Sequence, residues 1–196
     1  MFGGDRRRIQ FAAGGVTSER VPENALIECM DGAFVKLPDV VQRAHRGTIR
    51  LSGTAQVERG RGLGGLIAAL MRLPKSNPKA ELIVTGWHFP DQMVWSRSFD
   101  GRVFESTFTR DEDFLVEQMG PLSLYLQPMC EGGRLVYRLI ATQIGPIALP
   151  RFFAPSMTAW ESEKDGKYTF EVTVGLPILG RVIYYSGSLD LETLAE

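Results

Sequence analysis

Residues 48–58 read Thr48-Ile49-Arg50-Leu51-Ser52-Gly53-Thr54-Ala55-Gln56-Val57-Glu58, and this stretch decides the fold. Ile49, Leu51, Gly53, Ala55 and Val57 alternate with Arg50, Ser52, Thr54, Gln56 and Glu58. A period of two with one wet face describes a half-buried antiparallel strand; a parallel core strand would be apolar throughout. Before it, Leu26, Met30, Ala33 and Phe34 share one face of a helix expected from about Pro22 to Lys36. Leu37-Pro38 breaks that helix, and a second, short helix runs from Asp39 to about His45, ending at Gly47. After the strand, Leu63 to Leu73 reads as a third helix stopped by Pro74.

Everything beyond is strand and turn, with runs near 81–89, 92–99, 102–110, 114–127, 134–144, 157–163, 167–175 and 181–191. About nine strands at roughly ten-residue spacing predict a mainly β, α+β domain. Its sheet is a curved antiparallel meander forming a barrel or half-barrel, with N-terminal helices and one helix between the first two strands. Residues 1–20 are Gly- and Arg-rich without a period and read as a flexible tail, leaving 21–196 as one domain. The stretch Gly145 to Pro155 is an apolar loop that must bury itself, as a plug, a lid or an interface.

Two hairpins carry a testable register. A two-residue turn at Asp100-Gly101 pairs Phe99 with Arg102, Arg97 with Phe104, Trp95 with Ser106 and Met93 with Phe108, collecting the aromatic rings on one face. For the later hairpin, a three-residue bulged loop Lys164-Asp165-Gly166 pairs Trp160 with Phe170 and Ser162 with Tyr168. That register puts Glu161 and Glu171 on the outer face.

The chain has 196 residues, 22 Lys+Arg against 23 Asp+Glu, a net charge of -1 and a 44% hydrophobic composition. Balanced charge excludes a basic nucleic-acid footprint, and the apolar content excludes a disordered chain. No stretch reaches the roughly 18 apolar residues that span a bilayer, and no secretory h-region follows the first arginines, so a cytoplasmic protein is expected. Cys29 and Cys130 lack the spacing of a zinc site or disulfide framework and read as free thiols. Neither a metal nor a cofactor is expected, and no catalytic constellation is recognisable: His45 reads as a helix cap, and no nucleophile elbow is present.

The candidate ligand site lies on the predicted inner face. Arg97 shares it with Trp95, Ser106, Phe104 and Phe108, and the second hairpin adds Tyr168 and Phe170. A guanidinium on an apolar face needs a partner, either the anionic head of an amphipathic guest or a carboxylate such as Glu117. A separate anion site is expected at Arg59, Arg61 and Gly62, where the sequence Gly60-Arg61-Gly62-Leu63-Gly64-Gly65 opens the third helix. The amphipathic strand before this GxGxxG stretch argues against a dinucleotide fold.

Several motifs, in order, resemble a bacterial family of unknown function whose domain is often attached to saccharopine-dehydrogenase-like NAD(P)-binding reductase domains. They are Leu37-Pro38 with His45, Val57 to Gly62, Leu73-Pro74, Trp95 to Phe99, and Glu117 with Gly120-Pro121. Leu149-Pro150, Pro155, and Pro177 with Gly180, Tyr185 and Gly187 complete the set, which spans residues 25–190. The resemblance implies a domain able to partner a reductase; here it would act alone or on a separate polypeptide. The architecture also resembles lipid-carrying lipocalin- and START-like folds; the stretch from Leu191 to Glu196 is too short for the START C-terminal helix, which favours the lipocalin-like barrel. The expected function is therefore binding of an apolar or amphipathic small molecule. The alternatives are an enzyme or accessory acting with an NAD(P)-dependent reductase, and a structural interaction module.

Overall fold

The computed structural model describes residues 24–150 and 152–194. The tail expected at 1–20 and the start of the first helix at Pro22 lie outside them, as does Arg151. Two short helices come first, α1 (Ala25–Met30) and α2 (Asp39–Ala44), with a 3-10 helix, Asp31–Lys36, between them. The single helix expected over 22–36 is thus broken at Asp31, which has a positive φ of 46°. Asn24 joins this unit at both ends: its Oδ1 accepts from the Ile27 N–H, and its Nδ2 donates to the His45 carbonyl at 2.7 Å.

The strands follow in chain order: β1 (Thr48–Arg59), β2 (Asn77–His88), β3 (Met93–Phe99), β4 (Arg102–Asp111), β5 (Phe114–Met119) and β6 (Leu122–Glu131). After them come β7 (Arg134–Ile144), β8 (Ile147–Ala148), β9 (Ser156–Lys164), β10 (Lys167–Leu176) and β11 (Gly180–Leu194). The helix expected after β1 is α3 (Gly62–Leu70). The run predicted over 114–127 is two strands, because Gly120, at φ 57°, turns the chain with Pro121.

Ten strands close into an antiparallel barrel, β1 through β7 and then β9, β10 and β11, which returns to β1. The two-residue β8 is a flap on β7. The weakest seam is β7–β9, whose pairing runs only from Leu135↔Glu161 to Arg138↔Thr158 before the strands part. The inner face is lined by alternating residues such as Ile49, Leu51, Leu82, Phe99, Leu126 and Leu189, all buried.

The first hairpin has the expected register, Arg97 facing Phe104 and Trp95 facing Ser106. Asp100 and Gly101, at φ 49° and 77°, occupy the two left-handed positions of a tight turn. The second hairpin departs from expectation by one residue. Asp165 and Gly166, at φ 54° and 76°, make the same two-residue turn rather than the bulged loop. Lys164 then pairs with Lys167, Glu161 with Phe170 and Trp160 with Glu171. Every side chain of β9 changes face relative to the bulged register. Trp160 moves outside, where the Arg134 guanidinium lies 4.4 Å from its ring centre, and Glu161 moves inside.

The barrel ends differ. α1, the 3-10 helix and α2 cover one end with Leu26, Phe34, Leu37 and Val41, all buried. The other end carries α3, the tight turns at 100–101 and 120–121, the loop 145–155 and the tip 177–179. Phe152 and Phe153 in that loop are each 62% exposed, so their rings do not plug the barrel. None of the described helices is long and apolar enough to cross a membrane.

Candidate functional site

Inside an otherwise apolar barrel, two groups of polar side chains meet around Trp95. On one side of it stands Arg97, its side chain 14% exposed. Nη1 donates to Ser106 Oγ at 2.6 Å, and Nη2 lies 3.4 Å from Glu117 Oε1. The guanidinium sits over the rings of Trp95, Phe104 and Phe108, 5.5 to 5.9 Å from their centres. This aromatic box with a carboxylate partner supplies what a buried guanidinium requires. The Glu117 contact is long for a charge-assisted bond, so the pair is loose.

On the other side, His45 stacks on Trp95 with ring centres 5.1 Å apart and an interplanar angle of 21°. Its Nε2 donates to Glu161 Oε2 at 2.6 Å, and the Tyr137 hydroxyl donates to Glu161 Oε1 at 3.0 Å. Burial alone would push the Glu161 carboxyl up. The charge and hydrogen bond of His45, with the hydroxyls of Tyr168 and Tyr137, outweigh it and hold the group below its ordinary value. Tyr137 and Tyr168 go the other way: burial first, and then the Glu161 charge, raise both phenols well above the usual range, so they serve as neutral donors. Burial also lifts Tyr185 to about 12. With Nε2 committed to the carboxylate, His45 Nδ1 is buried without a hydrogen-bond partner.

His88 closes the group. Its Nδ1 donates to the Gly47 carbonyl at 2.7 Å, leaving Nε2 to accept from the Trp95 indole N–H at 3.1 Å. Burial, with His45 alongside, pushes this imidazole down to about 4 against the opposing Gly47 bond. The neutral ring is the form that this bonding pattern needs.

A cavity of about 90 Å³ lies among these residues, lined by Arg97, Trp95, Phe108, Tyr168 and Phe170 of the predicted set. His45, Glu117, Tyr137, Glu161 and Tyr185 line it as well. Of the remaining predicted residues, Ser106 is buried and holds Arg97, while Phe104 stacks on Phe99 at 5.5 Å. Arg59, Arg61 and Gly62 lie apart from the cavity. Arg59 donates Nε to the Pro74 carbonyl and Nη2 to the Leu73 carbonyl, clasping the chain where it leaves α3, and Arg61 is exposed.

The family model described as a domain of unknown function, DUF4166, matches residues 37–189. The chain belongs to the DUF4166 family. No curated protein and no solved structure matches it. This DUF4166 domain contains no group of three or more metal-ligating side chains among its described residues. Cys29 and Cys130 are both free thiols.

His45, Tyr137 and Glu161 were not among the predicted site residues. The signal for Glu161 was present in Asp165-Gly166, since a two-residue loop of that composition favours the tight turn that places Glu161 inside. His45 does end α2, as its position before Gly47 implies, but its side chain turns into the barrel rather than toward the helix carbonyls.

Proposed function

We propose that this DUF4166 domain is a binding protein for a small amphipathic anion, held inside the barrel with its charged group on Arg97 and its apolar part against Trp95, Phe108, Tyr168 and Phe170. The observation that carries this reading is Arg97 in its aromatic box. A barrel needing only a closed core gains nothing from a desolvated guanidinium, because apolar side chains of the same volume stabilise as well or better. The loose contact to Glu117 is one that an incoming carboxylate can displace, and the Ser106 hydroxyl fixes the guanidinium for it.

Size restricts the guest. About 90 Å³ is below the roughly 150 Å³ that takes up benzene and far below the roughly 300–1,000 Å³ of typical ligand pockets. The closed barrel therefore suits a short-chain carboxylate rather than an extended lipid tail. A cytoplasmic setting and, as the family resemblance implies, a reductase partner complete the proposal.

A thermal-shift screen of short aliphatic carboxylates against the matched alcohols tests it. Carboxylates should raise the melting temperature as their concentration passes the dissociation constant, the alcohols should not, and Arg97→Met should abolish the rise. A wild-type protein indifferent to every small carboxylate contradicts the reading.

A further inference from the structure

Most of the large apolar side chains exposed among the described residues gather at one end of the barrel. Leu63, Leu66 and Leu70 line the outer face of α3; Ile147, Phe152 and Phe153 project from the loop 145–155; Ile178 forms the tip between β10 and β11. These three elements are remote in sequence, yet the barrel brings them to the same end, opposite the helical cap. Val35 and Phe89 are exposed at the capped end, and Ile140 on the barrel wall.

α3 is inverted relative to an ordinary surface helix. It turns its small residues, Gly64 and Ala68, onto β11, and a Cβ at Gly64 would run into the Arg181 carbonyl. Its leucines therefore face outward, Leu70 being 82% exposed, and Gly62–Leu70 contains no charged residue. Ile178 is 86% exposed with φ at +67°, a left-handed conformation that costs a β-branched residue energy and that glycine would adopt freely.

Basic side chains predominate around this patch. Arg61, Arg72, Lys75, Lys79 and Arg102 are exposed there, and none makes an ion pair among the described residues. Of the nearby acids, Glu58 is held by Arg181 at 2.6 Å, and Asp100 accepts from the Glu81 N–H and Asn77. Glu81 and Glu105 lie further along the barrel wall. The whole chain has a net charge of -1, so this end is basic by segregation.

We propose that this end of the barrel docks on a bilayer surface bearing anionic headgroups, with α3 lying in the interface and its leucines, Phe152, Phe153 and Ile178 reaching the acyl boundary. Apolar side chains ringed by lysine and arginine are the chemistry of interfacial binding. A second copy of the chain does not complement the patch, because basic collars would face each other. The arginine triplet Arg6–Arg8 makes the chain's own N-terminus equally unsuited. The proposal is independent of the ligand reading, since none of these residues lines the cavity.

Co-sedimentation of the full chain with phosphatidylcholine vesicles, with and without phosphatidylglycerol, tests it. The wild type should pellet with the anionic vesicles at least about tenfold more than with the neutral ones, and added salt should reduce the difference. Leu66→Glu/Leu70→Glu should lower binding at least about tenfold with an unchanged circular-dichroism spectrum. Arg61→Glu/Lys75→Glu should remove the preference for phosphatidylglycerol, and Val35→Glu at the capped end should bind as the wild type does. A wild type that stays in the supernatant overturns the proposal. So does a leucine variant that pellets normally, or a solution dimer that Leu70→Glu dissociates.

Discussion

Glu161 is the residue on which the interior depends. An ionised carboxylate inside a barrel is tolerated only because His45, Tyr137 and Tyr168 replace its water. Removing it leaves an imidazole and two phenols buried without their acceptor, so Glu161→Ala should cost about 3–5 kcal/mol in urea unfolding. Glu161→Gln keeps an acceptor and should cost less. His88 gives a pH dependence whose sign follows from its low value. Between about 4 and its ordinary 6.5, the unfolded chain binds a proton that the folded ring refuses. Stability is therefore complete above 6.5, declines as the pH falls toward 4 by up to about 3 kcal/mol, and levels off below. The loss tied to Glu161, whose value is depressed, begins only below the ordinary carboxylate range of about 4.5 and is complete below its folded value. Unfolding midpoints measured from pH 7 to 4.5 should show the first decline in the wild type and a flattened one in His88→Gln.

At the scale of elements, the two Asp-Gly hairpins show what the sequence makes legible. In Met93–Phe108 every aromatic residue falls on one face under a single register, so alternation and turn chemistry agree. In β9 they conflict: hydrophobicity places Trp160 inside, turn chemistry places Glu161 inside, and the turn prevails because Glu161 has partners there. Those partners come from α2, β7 and β10, and nothing in the local pattern of β9 announces them. The same holds for His45, whose position as a helix terminus is local but whose partner is 116 residues away. The barrel itself was readable, since each strand declares its wet face; the break between β5 and β6 was hidden by an apolar run that continues through Gly120-Pro121. The inverted α3 depends on small residues at its inner face. Gly64→Ala forces a methyl against the Arg181 carbonyl and should cost about 1–3 kcal/mol, read as a lower melting temperature and faster amide exchange in 62–70.

For the whole molecule, the two barrel ends divide the work. Helices seal one end and bring His45 into the polar interior, while the other end holds the exposed apolar and basic surface. Between them lies a cavity too small for a lipid but furnished with one guanidinium in an aromatic box, and that pairing of small volume with a fixed charge is what defines the expected guest. Because β7 and β9 share so few pairs, this seam should be the first part of the barrel to open, with amide exchange along Arg138–Ile144 faster than along β1. The most direct test follows the indole N–H resonance of Trp95, which touches both polar groups, during titration with a short-chain carboxylate and with its matched alcohol. A saturable shift is expected with the carboxylate, little with the alcohol and none with Arg97→Met. A Trp95 resonance that stays in place with both compounds, or that shifts equally in the Arg97→Met protein, contradicts the binding reading.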